Sequence, residues 1–244
     1  MNKDTLDFFK RNKNLKYIPP SIPLNLTDPI SKTEWIMNNM EIGWLELDID
    51  FNLEKWKTES SITASYAIPH RDDKTNLGWN SCCIHGIGVD KTQYWTKYVD
   101  HETPDIYHWT EISKKTPNIL KFWKDSFPIE HYERIRFMVL QSKGFIAKHK
   151  DYSEMSNYNP LIHGCSFNIA INQPKNCYMV VEGFGIVPFK DGKIFYINTR
   201  HNHVVLNFSD QDRLHMIGTG LIQDRKNDFS NLMTKSYIKQ FKDI

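Results

Sequence analysis

The sequence predicts a mainly β fold, a sandwich or barrel, with flanking helices packed on it. Six short runs of β-branched and aromatic residues, separated by turn residues, lie within residues 134–220. They cover residues 135–140, 167–171, 178–181, 194–197, 204–208 and 214–217. Asp191-Gly192, between Phe189 and Ile194, is a typical hairpin-turn pair and favours antiparallel pairing. Many short strands at regular spacing are typical of a sandwich or barrel.

Before this region, the pattern predicts two helices and one strand. Ser31 and Glu34 form a capping-box pattern that predicts a short helix. Residues 45–51 alternate apolar with acidic side chains, which is typical of a half-buried strand. A second helix is expected to begin at Pro117 and to end before Pro128.

A C-terminal amphipathic helix completes the predicted elements. Its apolar residues recur at helical spacing and are Phe229, Leu232, Met233, Tyr237 and Phe241. We therefore divide the chain into an N-terminal extension (1–130) packed on the barrel, a β core (131–222) and a C-terminal helix (223–244).

Composition excludes several classes of protein. The chain has 244 residues, of which 31 are basic and 29 acidic, giving a net charge of +2 without a long run of either sign. Nucleic acid is therefore not an expected partner. The four cysteines fit neither a disulfide framework nor a zinc finger. No stretch is apolar enough to span a membrane, so we expect a cytoplasmic protein without a membrane partner.

His149 and Asp151 are candidate metal ligands. On an extended segment, side chains two positions apart point to the same face, so both could bind one ion. His203, at the start of a predicted strand, supplies a third ligand. A lone His-x-Asp pair is common by chance, and the chain contains a second one at residues 70–72, His-Arg-Asp. That triplet also occurs in protein kinases, but the glycine-rich loop and Asp-Phe-Gly segment of kinases are missing here.

Arg213 strengthens the case for His149 and His203. It lies ten residues after His203, and we expect it on the next strand of a hairpin, where it could reach the same barrel mouth. Two histidines and one carboxylate leave metal positions open for oxygen and a chelating 2-oxo acid. The Arg213 guanidinium would suit the far carboxylate of such an acid. His215 faces the same way and is a cosubstrate contact or a core histidine, whereas His201 could compete with His203.

These residues resemble the aspartyl/asparaginyl β-hydroxylase and bacterial proline hydroxylase branch of the 2-oxoglutarate oxygenases. The resemblance covers residues 135–217. The residues that carry it are His149-Lys150-Asp151-Tyr152, Gly192-Lys193, His203, Asn207, Arg213 and His215. It implies a double-stranded β-helix, a jelly-roll or cupin-like barrel, that binds Fe(II) through His149, Asp151 and His203. It also implies O2 and 2-oxoglutarate as cosubstrates, with Arg213 anchoring the latter.

Two features refine the resemblance. Some aspartyl/asparaginyl β-hydroxylases lack the carboxylate ligand, so Asp151 moves this chain toward the free-amino-acid proline hydroxylases. Where the hydroxylases of protein aspartate have an arginine and a histidine near the cosubstrate, this chain has Ser166 and Asn168. These two residues contact the cosubstrate or belong to an ordinary solvated strand face.

The resemblance implies a hydroxylase of an amino acid, free or peptidyl and proline-like or Asp/Asn-like, that releases succinate and CO2. Candidate substrate-binding residues are Arg134, Arg136, His163 and Trp109, although a solvated strand face also explains Arg134 and Arg136. The alternatives are a catalytically silent cupin-like sensor and a metalloenzyme that is not an oxygenase. The sequence predicts neither the exact substrate nor the oligomeric state.

Overall fold

A computed structural model describes residues 1–71, 75–151, 165–222 and 225–241. The helices are α1 (Lys3–Asn12), α2 (Pro29–Asn38), α3 (Leu53–Ser60), α4 (Thr63–Tyr66), α5 (Pro117–Lys121) and α6 (Lys226–Phe241). Short 3-10 turns cover Trp95–Lys97, Pro104–Ile106 and Glu111–Lys115, and a π-helical turn, Phe122–Ser126, continues α5.

Eleven antiparallel strands in these residues form one curled sheet. They are β1 (Trp44–Leu47), β2 (Ile68–Pro69), β3 (Leu77–Gly86), β4 (His108–Trp109), β5 (Glu130–His149), β6 (Cys165–Asn172), β7 (Cys177–Val181), β8 (Gly185–Ile186), β9 (Ile194–Ile197), β10 (His203–Asn207) and β11 (Arg213–Leu221). The order is β1-β9-β6-β11-β5-β10-β7-β8, and β3 pairs with β5, β2 and β4. All six predicted β runs coincide with strands, except that Phe208 lies beyond the end of β10, and the predicted barrel class is confirmed.

Strand β5 takes part in both layers of the curled sheet. Its first part pairs with β11, from Glu130 to Leu140, and its last part pairs with β10, from Phe145 to His149. The chain bends between these parts, where Lys143 has a φ of 61°. A Cβ on the next residue, Gly144, would lie 2.7 Å from the Leu77 carbonyl oxygen, so this tight bend requires glycine.

Two predicted hairpins are wrong. Strands β10 and β11 do not pair with each other, because β11 pairs with the first part of β5 and β10 pairs with its last part. The Asp191-Gly192 turn does form, with the Lys193 N–H donating to the Lys190 carbonyl oxygen at 3.1 Å. However, β8 before the turn pairs with β7, while β9 after it pairs with β6 and β1.

The alternation of β5 separates the core from an internal cavity. Ile135 and Phe137 are fully buried in the main hydrophobic core, which lies between the sheet and the helices. Arg134, Arg136 and Met138, on the opposite face of the strand, line the cavity. Side chains of a strand alternate between its two faces, so one strand supplies both environments.

Helices α2 and α6 cover the β1 edge of the sheet. The N-terminal cap of α2 is Asp28, whose carboxylate accepts from the Ser31 N–H at 2.9 Å, so the predicted capping box at Ser31 is wrong. The predicted strand at residues 45–51 ends at Leu47. Beyond it, the Asp48 N–H donates to the Ser236 hydroxyl of α6 at 2.8 Å, so a side chain replaces a partner strand.

The helix predicted at Pro117 and the C-terminal helix are both present. Strands β1 and β3 belong to the same sheet as the later strands although they precede residue 131. The division of the chain into three parts stays a prediction. Across the part of the chain that the structure describes, no helix is long and apolar enough to cross a membrane.

Candidate functional site

Three side chains meet where β5 ends and β10 begins. His149 and His203 are paired in the strand register, and their ring centroids lie 4.2 Å apart. Asp151 follows two residues after His149, and its N–H donates to the Thr199 carbonyl oxygen at 2.9 Å. One potential ligand atom from each side chain lies within 4.8 Å of the others. The three predicted ligands are therefore together in the fold, in a geometry that could hold a metal ion.

Hydrogen bonds fix which nitrogen of each histidine faces the ligand cluster. Nδ1 of His149 lies 2.8 Å from the Ala147 carbonyl oxygen, and Nδ1 of His203 lies 3.0 Å from the His201 carbonyl oxygen. A carbonyl oxygen only accepts, so each Nδ1 carries the hydrogen. The Nε2 lone pair of each neutral ring is then available to a metal, a common arrangement in metal sites. Burial, with a smaller effect from His149, lowers the pKa of His203 to about 4 and favours that neutral form.

His201 does not compete for this position. Its Nε2 lies 2.9 Å from the Met40 carbonyl oxygen, and its ring packs on Phe184. The remaining donor set of two imidazoles and one carboxylate fits Fe(II), and it leaves positions open for further ligands.

The ligand cluster opens into a cavity of about 810 Å³ between the two layers of the sheet. One wall carries Arg134 and Arg136 of β5 with Ser166 and Asn168 of β6, and β11 contributes Arg213, Ile217 and Leu221 to it. The other wall carries His149, His203, Ile146, Met179 and Val205. The candidate metal ligands and several cationic side chains thus share one cavity.

Arg213 is the most deeply buried cation of this cavity, with 4% of its surface exposed. Its Nη2 donates to His215 Nδ1 at 2.7 Å, and its Nε donates to Gln173 Oε1 at 3.4 Å. No carboxylate of the described residues forms an ion pair with it. Burial lowers its pKa to about 10. A buried guanidinium without an acidic partner could bind an anion.

His215 lies behind Arg213 and is fully buried. Since a guanidinium only donates, Nδ1 of His215 must accept, so Nε2 carries the hydrogen and donates to Gln173 Oε1 at 2.8 Å. Burial, and secondarily Arg213, lowers the pKa of His215 well below its usual value. The Phe189 ring packs against both side chains, with centroid distances of 5.4 Å to Arg213 and 4.6 Å to His215. His215 therefore orients Arg213, while Arg213 itself lines the cavity.

Comparison with known families identifies the group to which the protein belongs. The family described as aspartyl/asparaginyl beta-hydroxylase matches residues 48–219. The chain belongs to this family. The sequence-based prediction of a 2-oxoglutarate-dependent non-haem iron dioxygenase is thereby confirmed at the level of the enzyme class. A search of the curated proteins finds no match.

Solved structures of low sequence identity are similar to this hydroxylase family member. An oxidoreductase of the 2OG-Fe(II) oxygenase family from Burkholderia pseudomallei has a TM-score of 0.50 and 14% sequence identity. The match covers 86% of this chain and 98% of the oxidoreductase chain. A prolyl-4-hydroxylase from Pseudomonas putida has a TM-score of 0.44 and 14% identity, covering 79% and 98%. A prolyl hydroxylase from Trichoplax adhaerens, in complex with a hypoxia inducible factor peptide, has a TM-score of 0.43 and 10% identity, covering 81% and 92%. The fold of the first is the predicted double-stranded β-helix class.

The hydroxylase has Ser166 and Asn168 on the cavity wall, but not beside Arg213. In the register between β6 and β11, Asn168 is opposite Ile217 and Ser166 is opposite Thr219. The hydroxyls of Ser166 and Thr219 lie 3.0 Å apart. Arg213 is at the other end of β11. Both residues are therefore level with Arg134 and Arg136, and their predicted contact with the cosubstrate stays a prediction.

Among the predicted substrate residues, Arg134 and Arg136 line the cavity of the hydroxylase. Trp109 does not: it packs on His85 and Tyr132, at centroid distances of 4.7 and 5.3 Å, on the far side of β3. His163 lies outside the described residues. Of the three predicted residues that the structure describes, two are thus at the site.

Sequence analysis missed other cavity residues of the hydroxylase, and it had set His70 aside as part of a kinase-like triplet. His70 lines the cavity together with Trp79. Trp79 packs on His70 at 4.3 Å between centroids, and on the other side its ring lies 6.5 Å from that of His149. Gln173 and Phe189, which hold Arg213 and His215, were also missed. No local motif marks these residues, because strand pairing between distant segments brings them to the site.

Proposed function

We propose that this chain is an Fe(II)- and 2-oxoglutarate-dependent dioxygenase that hydroxylates an amino acid and releases succinate and CO2. The amino acid is free or peptidyl, and proline-like or Asp/Asn-like. The observation that carries the proposal is the buried cation Arg213, without a carboxylate partner in the described residues, in the same cavity as His149, Asp151 and His203.

Each group in the cavity would have a separate task. His149, Asp151 and His203 would hold the iron, and bound iron would supply the activation of O2 for C–H hydroxylation. Arg213 would bind the far carboxylate of 2-oxoglutarate, so that the 2-oxo acid end is held at the metal. The walls of the cavity would orient the substrate and limit access of water.

The hydrogen-bonding capacity of Arg213 supports this assignment. A guanidinium carries five N–H donors. Two of them bind His215 and Gln173. Its other donors can form the two parallel hydrogen bonds that a carboxylate accepts from an arginine. Because His215 and Gln173 already hold the side chain, little conformational entropy is lost when the carboxylate binds.

Anaerobic titration with iron(II) and 2-oxoglutarate tests the proposal. We expect the parent protein to form a visible charge-transfer band that requires both additions. His203→Ala should abolish the band, and Arg213→Ala should shift it to much higher 2-oxoglutarate concentration. The matched control is His201→Ala, since this neighbouring side chain points to Met40 and not to the ligand cluster.

The alternative functions predict different outcomes. A protein that binds iron or zinc tightly but forms no band with 2-oxoglutarate would contradict the oxygenase proposal and favour another metalloenzyme. A ligand-binding protein of the cupin type would form no succinate under O2 with any amino acid. The proposed enzyme should release succinate and CO2 in an amount that matches the hydroxylated product.

A further inference from the structure

A second cationic region lies at the other end of the cavity from Arg213. Arg136 of β5 is opposite Ile217, whereas Arg213 is opposite Leu140. Leu140 and Arg136 are four residues apart, which is about 13 Å along a strand. One small dicarboxylate bound at Arg213 and at the metal would therefore not reach Arg136 and its neighbour Arg134.

The chain segment at residues 92–94 holds these two arginines in place. Arg136 is buried, and its Nη1 donates to the Thr92 carbonyl oxygen at 2.8 Å. The guanidinium of Arg134 lies over the ring of Tyr94, 5.5 Å from its centroid. No carboxylate of the described residues forms an ion pair with Arg134. Arg134 is therefore a preoriented cation on the cavity wall.

His70 adds a polar group to the same region. It is only 4% exposed, and its Nδ1 lies 2.8 Å from the Ser81 hydroxyl and 3.0 Å from the Thr92 hydroxyl. Burial, and then the charges of Arg136, Arg71 and Arg134 in that order, lower its pKa to about 2, so the ring is neutral. Since Nδ1 is occupied, Nε2 is the ring nitrogen left for a ligand in the cavity.

This region is next to the candidate metal site. The Trp79 ring lies 4.3 Å from the His70 ring and 6.5 Å from the His149 ring, measured between centroids. The backbone N–H of His70 donates to the backbone carbonyl oxygen of Trp79 at 2.8 Å. A ligand that contacts His70 would therefore lie one aromatic ring away from a metal ligand.

Cationic side chains outnumber acidic ones around this region. Arg71 and Lys150 also line the cavity, while the acidic residues of its described lining are Glu102, Glu133 and the candidate metal ligand Asp151. Glu102 accepts a hydrogen bond from the Tyr107 hydroxyl, and burial raises the pKa of Glu133. The region therefore favours an anion.

We propose that His70, Arg134 and Arg136 form a second anion subsite, which binds the carboxylate of a free amino acid as the primary substrate. The proposal rests on the proposed function and narrows it from free or peptidyl amino acids to free ones. The α-carboxylate would accept from the two guanidinium groups, with His70 as a further contact, while the side chain extends toward the metal.

The test uses the iron(II) and 2-oxoglutarate complex under anaerobic conditions. Each of the twenty L-amino acids and its carboxamide is titrated in, and the change in the visible band gives a dissociation constant. We expect at least one amino acid to bind. Its carboxamide, which lacks the negative charge, should bind at least about 30-fold more weakly. Succinate release under O2 provides a second measurement with the same pairs.

Variants assign the effect to the subsite. Arg134→Met should weaken binding of the amino acid at least about 10-fold and reduce the preference over its carboxamide, and Arg134→Lys should restore part of it. His70→Phe, which retains an aromatic ring next to Trp79, should also weaken binding. Lys124→Met is the matched control, because Lys124 is likewise a cation over an aromatic ring, 5.4 Å from the Trp109 centroid, but does not line the cavity.

Three outcomes would overturn the proposal: no amino acid changes the band, carboxamides bind as tightly as the acids, or Arg134→Met and His70→Phe both retain the parent affinity. These outcomes are distinct from failure of the proposed function. If the proposed function itself fails, the parent protein forms no band with iron(II) and 2-oxoglutarate, even before any amino acid is added.

Discussion

Replacement of Arg213 by methionine should have opposite effects on cosubstrate binding and on the stability of the ligand-free protein. The variant loses a two-hydrogen-bond contact with a carboxylate, and each such charged bond contributes about 1.5 kcal/mol or more. A total of about 3 kcal/mol raises the dissociation constant of 2-oxoglutarate roughly 150-fold. Arg213→Lys keeps the charge but loses the planar fork, so we expect an intermediate loss, about 10-fold.

Without 2-oxoglutarate, the same change removes an unfavourable buried charge. Burial lowers the pKa of Arg213 to about 10, a shift that corresponds to about 3 kcal/mol against the charged form. Methionine avoids this cost but leaves His215 Nδ1 without its donor, which costs about 1–3 kcal/mol. We therefore expect the free energy of unfolding of the ligand-free variant to equal or exceed that of the parent.

Equilibrium urea denaturation, with and without 2-oxoglutarate and metal, measures both effects. The ligand should stabilise the parent strongly and Arg213→Met weakly, so that the order of stability reverses when ligand is added. Arg11→Met, a change at an exposed arginine of α1, should leave both quantities unaltered. The reasoning is refuted if Arg213→Met binds 2-oxoglutarate like the parent, or if it unfolds far more readily than the parent without ligand.

Three further changes have defined expected results. Gln173→Leu removes the acceptor that positions His215 and should raise the KM for 2-oxoglutarate about 3- to 10-fold, measured by succinate release, while iron binding is unchanged. Gly218→Ala should lower the free energy of unfolding by at least about 2 kcal/mol in urea, because its Cβ would lie 2.1 Å from the Trp123 ring; an unaltered midpoint would show that Trp123 can move. Hydrogen bonds from two lysines of α6 lower the pKa of Asp48 to about 2. Because the pKa of Asp48 is lower in the folded protein, its ionised carboxylate stabilises the fold at pH values above the unfolded-state pKa near 4. This contribution to the free energy of unfolding is about 0.5 kcal/mol for a solvent-accessible group. It should disappear as the pH falls from 4 to 2 in the parent, whereas Asp48→Asn should not show this loss.

Local periodicity was sufficient to predict seven of the eleven described strands, but not β2, β3, β4 or β8, and much of the candidate site. The alternation in β5 places Arg134 and Arg136 on one face and the core residues on the other, as any strand must. The spacing of His149 and Asp151 required only an extended segment, and His203 required only a strand start. These predictions depend on neighbours within a few residues, where the backbone geometry is nearly fixed.

What could not be predicted depends on which strands become neighbours. His203 and Arg213 were assigned to one hairpin, but their strands pair with different parts of β5, and nothing in the nine intervening residues indicates that. Similarly, His70 and Trp79 reach the cavity because β3 pairs with β5 about sixty residues later in the chain. Such pairings follow from the packing of the whole sheet, and a single sequence does not specify them locally.

Strand β5 carries a candidate metal ligand at its end and the proposed carboxylate subsite near its start, with the bend at residues 143 and 144 between them. The separation of the two sites is therefore a property of one continuous backbone. If the carboxylate is held at one end as proposed, the bend would determine which substrate carbon lies next to the metal. A different bend would then present a different carbon to the metal without changing any residue that touches the substrate. Regioselectivity would thus depend on Gly144, two of whose three nearest neighbours are backbone oxygens, as well as on the cavity lining.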